Sequence, residues 1–224
     1  MIRSRCTHAS MPKNSSRKDL IIERLARLPD VGSRVQFLTR HRLLSPLIVR
    51  QLDEAVSRVV RVDLDKARRL AATAVTVANR LDDVESRAYA ARALANSLWS
   101  RGQNERAAQH HSRATELFER AGNSIEAGRT LSSSIQPLIL LGKYERALDA
   151  ARRARKIFSV AGAGVRLARL DINLGNIFHR QDRFRRGTGV LRKGLLPPPS
   201  SSGQRRHHCR TAQRCRLLDH VERI

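Results

Sequence analysis

Apolar side chains recur at intervals of three, four and seven through the middle of this chain, the spacing that places them on one face of a helix. Ala107, Ala114, Leu117 and Phe118 form one such stripe, and Ala147, Leu148, Ala151, Ala154, Ile157 and Phe158 form another. A further stripe precedes each of them: Ala91, Leu94, Ala95 and Leu98 before the first, and Leu131, Ile135 and Leu138 before the second. Gly102 and Gly142 separate the paired stretches, where a residue free to take positive φ ends a helix. The pattern predicts helical hairpins. Their alanines let antiparallel helices approach closely without the helix cost of glycine. Pro137 falls inside the first helix of one hairpin, where it removes a backbone hydrogen bond, so a kink is expected there.

The hairpins repeat with a period of forty residues. Gly102-Gln-Asn-Glu-Arg-Ala-Ala aligns with Gly142-Lys-Tyr-Glu-Arg-Ala-Leu, and the match continues through Arg113/Arg153, Ala114/Ala154, Phe118/Phe158 and Ala121-Gly122/Ala161-Gly162. One period further on, Asp182 to Gly187 falls in register; one period earlier, Asp63 to Ala67 with Ala74 does the same. Four units therefore share one clock. Before them, Leu20 to Leu28 and Val35 to Leu44 form two short amphipathic stretches split by Pro29-Asp-Val-Gly32. These predict a helical cap over residues 19–47, since the end of a solenoid otherwise exposes its apolar face.

At these positions the sequence resembles the tetratricopeptide (TPR) family. Leu174-Gly175-Asn-Ile-Phe178, followed by Phe184, is similar to that family's Leu-Gly-x-x-Tyr signature, and Ala107/Ala114 and Ala147/Ala154 match its small second-helix positions. The longer period resembles kinesin light chain repeats, with the added residues expected between hairpins, in Asn123–Thr130 and Ala163–Leu170. The segment from Arg129 to Gly142 is similar to the amino-terminal repeat arrays of bacterial proteins that end in a caspase-like CHAT domain. The resemblance, covering about residues 48–194, implies an all-α, right-handed superhelical solenoid of hairpins that binds a peptide or partner protein in its concave groove and catalyses nothing.

Composition adds a charge problem. The net charge is +24, which by itself suggests a nucleic-acid-binding protein, and that remains the alternative function. The charge is concentrated at the ends: residues 1–18 carry five basic groups and no acid, and residues 183–224 carry eleven against two. Of the 44 basic residues 38 are Arg, a bias that GC-rich coding produces without selection for phosphate. Residues 1–18 are expected to be a disordered basic segment and 195–224 a disordered Arg-rich tail, its three prolines stopping any further hairpin. Back-translating Gln204 to Ile224 and shifting one nucleotide yields a further first-helix pattern, which suggests out-of-frame translation after a frameshift near residues 187–203. On that reading the chain is a fragment of a larger protein, with the regulatory part of a CHAT-type protein as a further alternative. No apolar run approaches the roughly 20 residues of a membrane span. The three cysteines lie near the ends and form no disulfide framework, so a cytoplasmic protein is expected.

No catalytic, cofactor or metal motif stands out. Gly187-Thr-Gly189 lacks the rest of a phosphate loop, and Gly162-Ala-Gly164 reads as a helix end. His207-His208-Cys209 with Cys215 and His220 matches no standard zinc spacing. His110-His111 lies on a second helix, with His111 on the packing side. The groove is the better candidate. In a TPR hairpin the first helix lines it, and the side chains opposite each packing stripe are Arg92, Asn96 and Trp99, then Arg129 and Gln136, then Arg169, Asn173 and Asn176. Asn and Gln can pair with a peptide backbone while Arg grips a carboxylate. Arg92, Asn96 and Arg169 resemble the residues with which some TPR proteins clamp a chaperone's carboxyl terminus, but Ser133 stands where that clamp has Asn.

Overall fold

In a computed structural model of the chain, residues 17–180 are described, with the backbone alone for 17 and 176–180. The described residues form nine α-helices and no strand. Residues 1–16 of the basic amino-terminal segment, the expected second helix of the fourth unit, the tail and its His/Cys cluster lie outside them, whereas Arg17 and Lys18, expected in the disordered segment, are helical.

The first two helices, α1 (Arg17–Arg27) and α2 (Val31–Arg40), precede the hairpins. Three hairpins follow: α3 (Pro46–Val59) with α4 (Leu64–Leu81), α5 (Val84–Ser100) with α6 (Asn104–Arg120), and α7 (Ser124–Leu140) with α8 (Tyr144–Val160). Helix α9 (Gly164–Arg180) follows and is the last described element. From α5 to α9 every helix has 17 residues and three residues separate it from the next, which produces the forty-residue clock. The residues expected between hairpins, Asn123–Thr130 and Ala163–Leu170, are instead the first turns of α7 and α9. The longer period comes from longer helices and leaves the turns short.

Every turn in this stretch closes in the same way. Gly102, Gly122, Gly142 and Gly162 take φ of 75°, 73°, 68° and 64°. The following N–H of Gln103, Asn123, Lys143 and Ala163 donates back to the carbonyl of Leu98, Phe118, Leu138 and Phe158 at 2.9–3.0 Å. This is the Schellman closure, which satisfies carbonyls a helix end would otherwise strand. Asp63, Asp83 and Asn123 cap the next helix through hydrogen bonds from the N–H of Lys66, Ser86 and Glu126.

From α3 to α9 consecutive helices pack together, and so do alternate first helices: α3 against α5, α5 against α7, α7 against α9. The second helices α4, α6 and α8 make no comparable contact with one another. First helices therefore stand closer together than second ones, and the stack curves with the first helices on its inner face. Helices α1 and α2 lean on the first hairpin, α1 against α3 and α4, α2 against α4.

The core has two parts. One runs from Ile22 through α3, α4 and α5 and takes in Leu117, Phe118 and Ala127. The other joins Leu131, Ile135 and Leu138 to Ala147, Ala154, Phe158, Leu170 and Leu174. Phe118 and Phe158, one period apart, are both fully buried. Gly128 on α7 faces Phe158 so closely that a Cβ there would meet its ring at 2.9 Å, so this glycine sets the approach of α7 to α8. Helix α7 runs through to Leu140 with Pro137, where a kink is expected, inside it. No described helix is long and apolar enough to cross a membrane.

Candidate functional site

Because the first helices share the inner face, side chains at helical spacing on α3, α5, α7 and α9 converge on one concavity of about 590 Å³. Helix α5 contributes Asn96 and Trp99, α7 contributes Arg129, Ser132, Ser133 and Gln136, and α9 contributes Arg166, Arg169, Ile172 and Asn173. Ser57, Val60 and Arg61 close one end and Phe158 the other. Four arginines line the concavity and no acidic residue does. A smaller hollow of about 440 Å³ lies between α6 and α8, where the second helices splay apart. Its charges are mixed, and Arg153 pairs with Glu119 between the two helices at 2.7 Å.

The sequence-predicted residues divide into three groups. Asn96, Trp99, Arg129, Gln136, Arg169 and Asn173 lie together in the concavity. Asn176 lies on α9, its side chain outside the described residues. Arg92 is the correction: it is 2% exposed, sealed in the interior, and no groove ligand can touch it. The error has a physical origin. Helix α5 packs against α3, α4, α6 and α7, so the side opposite its apolar stripe is also covered.

Arg92 ties three first helices together. Its Nη2 donates to Asp53 Oδ2 of α3 at 2.6 Å, with Nε at 3.2 and 3.3 Å from the two carboxylate oxygens. Its Nη1 donates to Glu126 Oε2 of α7 at 2.6 Å. The guanidinium also sits over the Tyr89 and Phe118 rings, 5.3 and 5.0 Å from their centroids. Burial disfavours its charge, but Asp53 and Glu126 outweigh that by Coulomb attraction and hydrogen bonding, so its pKa is raised. Glu126 faces both ways. Burial pushes its pKa up, yet Arg92 within and Arg129 in the groove bring it below the usual value. Arg129 Nη1 donates to both its oxygens, at 2.7 and 2.8 Å.

In the concavity, Asn173 Nδ2 donates to Ser132 O and Oγ at 3.3 and 3.2 Å, and Asn96 Nδ2 to Ser57 Oγ at 3.4 Å. Arg61 stacks over Trp99, 5.8 Å from the ring centroid. Pro137 has no N–H to give the carbonyl of Ser133, so one backbone hydrogen bond of α7 is not made. Sequence reasoning missed Arg61 and Arg166. Arg166 was detectable, since it lies one turn before Arg169 on the same face of a helix. Arg61 was not, because it follows the end of α3 and only the stacking of hairpins brings it to Trp99. Among the described residues no three His, Cys, Asp or Glu side chains gather as a metal site. His111 is buried against the core, as expected of a packing-side residue.

Fold and site together define an all-α solenoid of helical hairpins with an arginine-lined inner face. No family model matches the sequence, and no curated protein is similar to it. Among solved structures, that of BtubC (BKLC) from P. vanneervenii is similar across 87% of this chain and 100% of that one, at 17% identity and a TM-score of 0.47.

Proposed function

We infer that this protein is a bacterial, cytoplasmic, TPR-type interaction scaffold that holds an extended peptide segment of a partner protein in its inner groove and is not itself an enzyme. The observation that carries this reading is the concavity, where four successive first helices present arginines, amides and one tryptophan with no acidic side chain. Side-chain amides can pair with a peptide backbone, while the arginines select acidic side chains. The TPR signatures Leu174-Gly175 and Ala147/Ala154 support the same assignment.

The test uses the full chain on an array of short synthetic peptides of acidic, neutral and basic character. Binding that favours acidic peptides, falls with Arg169→Ala or Asn173→Ala and survives Arg152→Ala on the outer surface is the expected result. Equal retention by all three variants would remove the groove as the site. The nucleic-acid alternative, motivated by the net charge of +24, predicts RNA or DNA binding that weakens steeply with salt.

A further inference from the structure

The arginines of the concavity are unevenly neutralised. Among the described residues only Arg129 of the four pairs with a carboxylate, and it shares Glu126 with the buried Arg92, whose other partner is Asp53. Arg166 and Arg169 add two more positive charges on the same face, and among the described residues neither pairs with a carboxylate within 4 Å. They lie one turn apart in the first two turns of α9, and Arg129 occupies the second turn of the neighbouring α7. Arg166 is half-buried, and its pKa is lowered by desolvation and then by Arg129; Glu126 offsets part of this, while Arg92 and Arg169 add to it. Like charges are held together here at a cost that an anion would relieve.

We propose that Arg129, Arg166 and Arg169 form a phosphate-binding subsite, and that the groove's ligand is a partner segment carrying a phosphorylated side chain. The proposal rests on the peptide-groove reading and narrows it. A phosphomonoester carries a charge of about −1.5 to −2 at pH 7 and three acceptor oxygens, which matches two uncompensated guanidiniums and a third that can turn from Glu126. A carboxylate carries one charge and would leave one arginine unneutralised. A nucleic-acid strand offers a phosphate at every nucleotide, whereas the cations here gather at one end, with Arg61 set apart beside Trp99.

The chain's one tryptophan, Trp99, lies in the concavity and gives a fluorescence readout on the full protein. The probes are a degenerate peptide pool built around one fixed phosphoserine, the same pool with Ser or Glu there, and a single-stranded RNA. The phosphoserine pool should bind at least about tenfold more tightly than either counterpart. That preference should collapse in Arg166→Gln and Arg169→Gln, whose exposed or half-exposed sites leave folding intact by circular dichroism. Arg61→Gln should weaken all pools alike and keep the preference. Equal affinity for the phosphoserine and Glu pools, or a preference that survives Arg166→Gln and Arg169→Gln, overturns the phosphate subsite while the peptide groove stands. Binding of RNA alone, or of no probe, overturns the subsite and the groove reading together.

Discussion

Replacing Arg92 by Met tests whether the interior of this solenoid depends on a charge that the sequence placed in its groove. Asp53 is 0% exposed, and its hydrogen-bonded side-chain partner is Arg92. Removing the guanidinium leaves a buried carboxylate without its counter-charge, a change that costs about 3 to 5 kcal/mol. Glu126 loses less, because Arg129 still holds both of its oxygens. Loss of the Tyr89 and Phe118 ring contacts adds about 0.5 to 2 kcal/mol, part of which the Met side chain restores by packing. Against a total stability of about 5 to 15 kcal/mol the change is large, and urea unfolding followed by helical circular dichroism would report it as a lower midpoint. Converting Asp53 to Leu as well removes the stranded charge, so the double variant Arg92→Met/Asp53→Leu should be more stable than Arg92→Met alone. An Arg92→Met protein within about 0.5 kcal/mol of the parent, the usual effect at an exposed site, would refute the buried network. So would a double variant whose two losses simply add.

Acid should weaken the fold before its carboxylates titrate. Burial, and then Arg92 and His110, hold the His111 imidazole neutral, its pKa lowered from 6.5 to about 3. The unfolded chain takes up a proton near 6.5 that the folded chain refuses until about 3, so stability falls through that window, by about 2 kcal/mol at pH 5. His110 is shifted in the same direction, so a His111→Phe protein should lose most, though not all, of this dependence; an unfolding midpoint that is flat from pH 7 to 5 in the parent would contradict it. Gly128→Ala should destabilise by about 1 to 3 kcal/mol, because its Cβ would meet Phe158 at 2.9 Å, and a pairing with Phe158→Leu should recover part of the loss if crowding is the cause. Asp83→Ala, which removes the oxygen accepting from Ser86 N–H, should cost about 1 kcal/mol in thermal or urea unfolding, whereas Asp83→Asn should cost much less.

Local rules made the solenoid legible. Apolar spacing defined the helices, and a helix end on glycine needs nothing beyond the residue's own freedom at positive φ, so Gly102 and Gly142 stand where the sequence put them. The forty-residue period was countable because the helices from α5 onward share one length and one turn. What the extra residues do was not: Asn123–Thr130 carries Gly128 and looks like linker, yet it is helix, because Asn123 caps it and Gly128 fits against Phe158 on another helix. The same limit governs the site. Periodicity placed Trp99, Arg129 and Arg169 each on the side of its own helix opposite the packing stripe, and the resemblance to TPR hairpins put those three sides in one groove. Whether that side meets solvent or another helix depends on neighbours far along the chain. Arg92 obeys the same periodicity and is buried, because α3 brings Asp53 and α7 brings Glu126 to it across separations of 39 and 34 residues. Sequence determined the helices and their repeat; stacking decided which arginine was sealed in the interior and which stayed on the concavity, because burial is a property of packed surfaces and no single helix encodes it.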